Sequence, residues 1–212
     1  MLAAFDPGLW FLPVFIAIPV FFFWVARNQA RKTREGLAAF AAQAGLRMTE
    51  STILGFTTVE SLEGEQSGRL VRYWTYSTGS GKSRTTWVAV GVQVPAGVAL
   101  QFDLTRQNFG SKLMELFGVR EIQVGDPVFD AAWFVRTNQP EFFAAALVPA
   151  IRARLMVEAA SRPGGRYQLE AGFVRYVEQG SLAGATVERL AAKLPLLHDL
   201  ADVAEVSAGQ KA

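Results

Sequence analysis

The sequence predicts an α+β protein in which an N-terminal transmembrane helix leads into an antiparallel-sheet domain covered by long C-terminal helices. Three observations carry that reading. Gly8–Ala26 runs 19 residues without a charge, and four basic residues follow within eight. Thr86, Val88, Val90 and Val92 alternate with Trp87, Ala89, Gly91 and Gln93, the period of a strand with one well-buried face. Near the C-terminus, Val187, Leu190, Leu194, Leu197 and Ala201 recur at helical spacing, which gives a helix one apolar stripe to lay on a sheet.

The N-terminal run comes first in order. A helix over 8–26 spans about 28 Å, against about 30 Å of hydrocarbon. Trp10 and Trp24 fall near its ends, where amphipathic rings favour an interface, and Arg27, Arg31, Lys32 and Arg34 follow it. The residues before it carry Asp6 and no Lys or Arg. A cleavable signal needs a basic start and a shorter apolar core. The expectation is therefore an uncleaved single-pass anchor: 1–7 outside, 8–26 spanning, 27–35 a basic juxtamembrane flank, the rest cytoplasmic. The implied partners are a lipid bilayer and anionic lipids at its cytoplasmic face. Pro13 and Pro19 predict a bend in the span.

Charge separates this flank from the remainder. The chain has 21 basic and 19 acidic residues. Four basic and two acidic ones lie in the first 35, which leaves 17 of each beyond. The basic excess belongs to the flank, so the domain lacks the electrostatic footprint of a nucleic-acid binder. With no cysteine, disulfides, thiol catalysis and cysteine metal sites are excluded. Residues 36–206 suffice for one domain, and 207–212 read as a small, polar, disordered tail.

Within the domain, Thr33 caps a helix over 34–44 whose stripe is Leu37, Phe40, Ala41 and Ala44, with Gly45 as its stop. It either continues the preceding helix or starts afresh. Strands follow over 57–63, 69–77, 84–93 and 97–104, joined as antiparallel neighbours by turns at 64–68, 78–82 and 95–97. A short helix over 109–117 precedes strands near 119–124 and 129–137. Pro140 starts a helix reaching about Ala160, broken by Pro149. Strands at 166–171 and 173–179 lead into the last helix, about 182–205, with Pro195 inside it. The second half thus reads strand–strand–helix twice.

The run from Gly110 to Met156 is similar to a segment of an uncharacterised bacterial family of single-pass, membrane-anchored α+β proteins. The parts that carry the resemblance are GDPVFD at Gly125–Asp130, FVRT at Phe134–Thr137 and the proline-started helix ending in IRARLM. LAAFAAQAGLRM at Leu37–Met48 resembles the helix that follows the anchor in such proteins. The resemblance covers most of the chain. It implies a bacterial plasma (inner) membrane location and no assigned activity.

The candidate chemistry is sparse. TGSGKS at Thr78–Ser83 resembles the end of a phosphate-binding loop, but Tyr76 stands where the first glycine belongs and a strand follows instead of a helix. A hairpin turn is the simpler reading. His198 is the only histidine. With Asp199 and Asp202 nearby it falls short of the three ligands of a catalytic zinc, and it reads as a solvated helix residue. Asp126 and Asp130 in GDPVFD fit a turn and a strand start, with Asp130 facing Arg136. Glu60, Glu63 and Glu65 read as a solvated hairpin. Arg72, Trp74, Tyr76 and Arg84 form the best candidate surface contact, since interleaved cations and aromatics suit recognition as well as cross-strand pairing.

The expected function is binding or scaffolding without catalysis and without a cofactor, toward a protein partner and not nucleic acid. Two alternatives are a domain that takes a small apolar ligand or lipid, and a hydrolase or transferase with a dispersed Asp, Glu, Ser and Arg site. A sizeable dry pocket beneath the C-terminal helix would favour the ligand binder.

Overall fold

The structure, a computed structural model, describes residues 12–53, 56–107, 120–161 and 164–209. The first element is one uninterrupted helix, α1 (Leu12–Ala44). Among the described residues nine strands follow: β1 (Arg47–Ile53), β2 (Phe56–Gln66), β3 (Arg69–Thr78), β4 (Thr85–Gln93), β5 (Phe102–Arg106), β6 (Arg120–Ile122), β7 (Trp133–Thr137), β8 (Arg166–Glu170) and β9 (Phe173–Gln179). The later helices are α2 (Pro127–Ala132), α3 (Pro140–Ala146), α4 (Pro149–Ala160), α5 (Gly184–Ala191) and α6 (Leu194–Gly209).

All nine strands join one antiparallel sheet in the order β1-β2-β3-β4-β9-β8-β5-β7-β6. Its register places a single row of side chains across every strand: Met48, Leu62, Tyr73, Val90, Tyr176, Tyr167, Leu104, Val135 and Ile122. All are buried or packed against the core. Because side chains alternate between faces, a slip of one residue would turn this row outward, so burial itself holds the register. The helices cover that face. Leu37 and Ala41 of α1 are buried, and α6 contributes Leu197, Leu200, Ala201 and Ala204, each fully buried.

Proline and capping chemistry explain the breaks. Pro140 and Pro149 each occupy the first turn of a helix, where the missing N–H has no partner to lose. Asp126 caps α2 by accepting from the Val128 and Phe129 amides at 3.1 and 3.2 Å. Asp130 does not start a strand: it lies in α2, and its carboxylate accepts from Val124 N at 2.9 Å and Gly125 N at 3.1 Å. The TGSGKS loop joins antiparallel β3 and β4 through a 3-10 turn over Gly81–Ser83. The helix expected over 182–205 divides into α5 and α6, and α6 continues past buried Ser207 to Gly209. The strand β1 has no counterpart among the expected strands, and the helix expected over 109–117 lies outside the described residues.

The N-terminal expectation is corrected. Among the described residues no helix is long and apolar enough to cross a membrane. The transmembrane helix, the single-pass description and the inner-membrane location with the N-terminus outside lose their support. Beyond Ala26 the described helix carries Arg27, Arg31, Lys32, Arg34 and Glu35 and runs on unbroken to Ala44, where Leu37 and Ala41 are buried in the domain core. Trp10 and Gly8–Phe11 lie outside the described residues. Of the residues assigned to an interface, Trp24 is exposed on α1, and Arg27, Arg31 and Lys32 are exposed along the same helix. Arg31 pairs with Glu35 at 3.5 Å, and Arg34 with Glu50 of β1 at 2.6 Å.

Candidate functional site

A concavity of two compartments runs along the outward side of α6. Its inner residues anchor the helix, and the 3.6-residue period leaves His198, Asp199, Asp202 and Glu205 on the side facing away from the core. The first compartment, of about 1100 Å³, lies between α6, the β2–β3 turn at Gln66–Leu70 and the β4–β5 connection at Gln93–Ala96. Arg69 spans it. Its guanidinium donates to Asp202 at 2.6 Å and to Glu205 at 3.0 Å. Burial opposes the Arg69 charge, but the hydrogen bond and charge of Asp202, with Glu205, raise its pKa above the ordinary value.

His198 is half-buried in the same wall. Burial, seconded by the Arg69 charge, lowers its pKa below the ordinary histidine range, against the opposing pull of Asp202 and Asp199. The shift favours the neutral ring at neutral pH. Among the described residues no group of three or more His, Asp or Glu side chains is placed to hold a metal ion.

The second compartment, about 610 Å³, lies between α6 and the corner made by α3 and α4. Its walls are apolar: Phe142, Ala145, Ala146, Val148, Ile151, Val203 and Val206. Pro149 creates this corner by ending one helix and starting the next. Arg154, Asp199 and Asp202 line both compartments, so the two meet at the Arg154–Asp199 ion pair of 2.5 Å.

The α4 wall is held from behind. Trp133 Nε1 donates to Leu155 O at 3.1 Å, and Arg106 donates to Glu158 O. Lys193, at the α5–α6 junction, pairs with Glu158 and lies 5.4 Å from the Tyr176 ring centroid. Deeper still, fully buried Glu178 accepts from Tyr176 Oη at 3.0 Å and pairs with Arg189 at 2.5 Å. Gly165 is required here, since a Cβ would come within 2.4 Å of the Tyr176 ring.

The structure thus gathers His198, Asp199 and Asp202, which sequence spacing placed on one helix, against Arg69 from 133 positions away in the chain. The partners Arg69, Glu205 and Arg154 escaped sequence reasoning. Asp126 and Asp130 serve as helix and loop caps. Arg72, Trp74, Tyr76 and Arg84 lie elsewhere, lining one cleft beside α1.

No protein-family model and no curated protein matches the chain. Among solved structures it is similar to the crystal structure of the mycobacterial trehalose monomycolate transport factor A, TtfA. The TM-score is 0.51 at 14% sequence identity, with 84% of this chain and 94% of that one covered. The likeness is one of fold, extending over nearly the whole of both chains.

Proposed function

We propose that this protein is a non-catalytic binder of a long-chain amphiphile, with the chain in the α3–α4–α6 groove and an uncharged, hydroxyl-bearing head in the polar compartment. The observation that carries the reading is the junction of an apolar groove of about 610 Å³ with a charged compartment through shared residues on α6. An apolar wall with a few convergent polar groups is the ordinary make-up of a ligand site. The head's character follows from charge. Asp199, Asp202 and Glu205 outnumber Arg69 and Arg154, and both guanidiniums already hold carboxylates. An anionic head would meet repulsion with no open cation, whereas a hydroxyl both donates to carboxylates and accepts from guanidinium and amide groups. A fold shared with a trehalose monomycolate transport factor supports a carrier role over catalysis.

The test is calorimetry of the full chain with dodecyl maltoside kept below its micelle concentration. Saturable binding is expected, at least tenfold tighter than for dodecyl sulfate. Ala145 is exposed in the groove wall, so Ala145→Trp should cut affinity at least tenfold while leaving the melting temperature nearly unchanged. Binding indifferent to that substitution would place the chain elsewhere and defeat the reading.

A further inference from the structure

The sheet is split at one corner. Pairing of β2 with β3 runs from Gln66↔Arg69 only as far as Ser61↔Trp74. Each strand continues with its other neighbour: β2 with β1 to Ile53↔Phe56, and β3 with β4 to Thr78↔Thr85. The cause lies at Glu60. Val59 pairs with Glu50 and Ser61 with Thr49, so Glu60 is an extra residue opposite none. Such a bulge bends its strand and ends pairing, and bulges concentrate beside functional sites.

Between the two arms lies a cleft of about 930 Å³ with α1 at its base. Trp74 and Tyr76 point to one face of β3 and Thr75 and Ser77 to the other, by strand alternation. All four line the cleft, which happens only where a sheet is cut through. Trp74 has Arg72 and Arg175 within 6 Å of its ring centroid. Its indole tip is close enough to Gly91 that a Cβ there would sit 3.0 Å away.

Two features select an occupant. The facing edges, β2 before Glu60 and β3 after Trp74, share no ladder hydrogen bonds with each other, and unpaired strand edges are templates for another backbone. A lipid or a nucleotide cannot satisfy alternating N–H and C=O groups; an extended peptide can. Cations also prevail on the walls, with Arg34, Arg72 and Arg84 against Glu60. Arg34 and Arg72 are held by Glu50 and Glu63, and Arg84 lies exposed at the rim.

We propose that this fork is a docking site for an extended peptide segment of a partner protein, which adds a strand along β3 and sets an acidic side chain against Arg84. The four residues of β3 beyond Trp74 span about 13 Å, and alternate ones, Thr75 and Ser77, turn their backbone groups away from β4 toward the fork. This site is separate from the α6 groove and stands or falls independently of it.

The experiment titrates the full chain with an acetylated, amidated peptide of alternating valine and glutamate, seven residues long. Calorimetry is combined with hydrogen exchange at Thr75 and Ser77, whose amides face the fork. Saturable binding with new protection at those amides is expected. A lysine-for-glutamate twin should bind at least tenfold more weakly, and Arg84→Glu should narrow that gap at least tenfold. N-methylation of the peptide's central amides, which leaves the protein untouched, should abolish binding. Absence of saturable binding, equal affinity of the lysine twin, indifference to N-methylation, or displacement of the peptide by a thymidine oligonucleotide would each overturn the proposal.

Discussion

Two ionic clusters, one beneath the helices and one along the outward side of α6, differ in how far water reaches them. Beneath the helices, Glu178 is fully buried with Arg189 and Tyr176, and Lys193 with Glu158 stands beside it. On the outer side, Arg69 joins Asp202 and Glu205, and Arg154 joins Asp199, with Asp202 largely exposed. In the inner cluster Glu178 has lost its water and depends on Arg189 and Tyr176, because an unpaired buried charge costs far more than the pair returns. In the outer cluster water remains a competitor, so each pair is weak and exchangeable. The inner cluster is scaffold, and the exchangeable outer one is where the proposed function places the ligand head.

The comparison breaks most sharply at Glu178. Arg189→Ala leaves a fully buried carboxylate without its guanidinium, and a loss of about 3–5 kcal/mol is expected in urea unfolding. Replacing both residues by leucine should recover most of that loss, as apolar groups of similar size leave nothing uncompensated. A loss below about 1 kcal/mol for the single variant would mean that water reaches Glu178 and that the two clusters are alike.

The outer cluster sharpens the contrast with a smaller effect. A double-mutant cycle on Arg154 and Asp199 should give a coupling of about 0.2–1 kcal/mol, falling with added salt. The same variants should weaken dodecyl maltoside binding, since both residues line the junction of the compartments. A coupling of several kcal/mol would make the pair structural and remove it from the site.

The smallest effect concerns pH. Burial, seconded by the Arg69 charge, lowers the pKa of His198 in the fold. The unfolded chain then binds the proton more readily, so stability is full above the unfolded value of 6.5 and declines as pH falls through it. His198→Gln should flatten the stability profile on that acid side and leave it unchanged above pH 7. A steeper acid decline in the variant would reverse the sign and place Asp202 and Asp199 ahead of Arg69.

What the sequence determined by itself was local. Alternation in 84–93, the prolines at 140 and 149, and the glycines between 78 and 82 specify strand, helix starts and hairpin turn through neighbours a few residues apart. Those elements stand in the structure within a few residues of their expected limits. Short-range reading failed where a partner far along the chain decides. β1, RMTESTI, lacks a strong apolar alternation and is a strand because β2 offers its edge. The apolar N-terminal run read as a membrane span, yet the described helix continues unbroken into the domain, and among the described residues no helix is long and apolar enough to cross a membrane.

Tertiary structure alone decided both candidate sites. Arg69 meets Asp202 because a hairpin turn and the last helix pack on one sheet, and no spacing in the chain encodes that approach. The fork between β2 and β3 follows from one extra residue, Glu60, whose effect exists only once β1 fixes the register opposite it. The four residues singled out as a surface contact, Arg72, Trp74, Tyr76 and Arg84, line one cleft for the same reason. Periodicity carries the direction of each side chain along its own element; the distance between elements is set by the packing of the whole core.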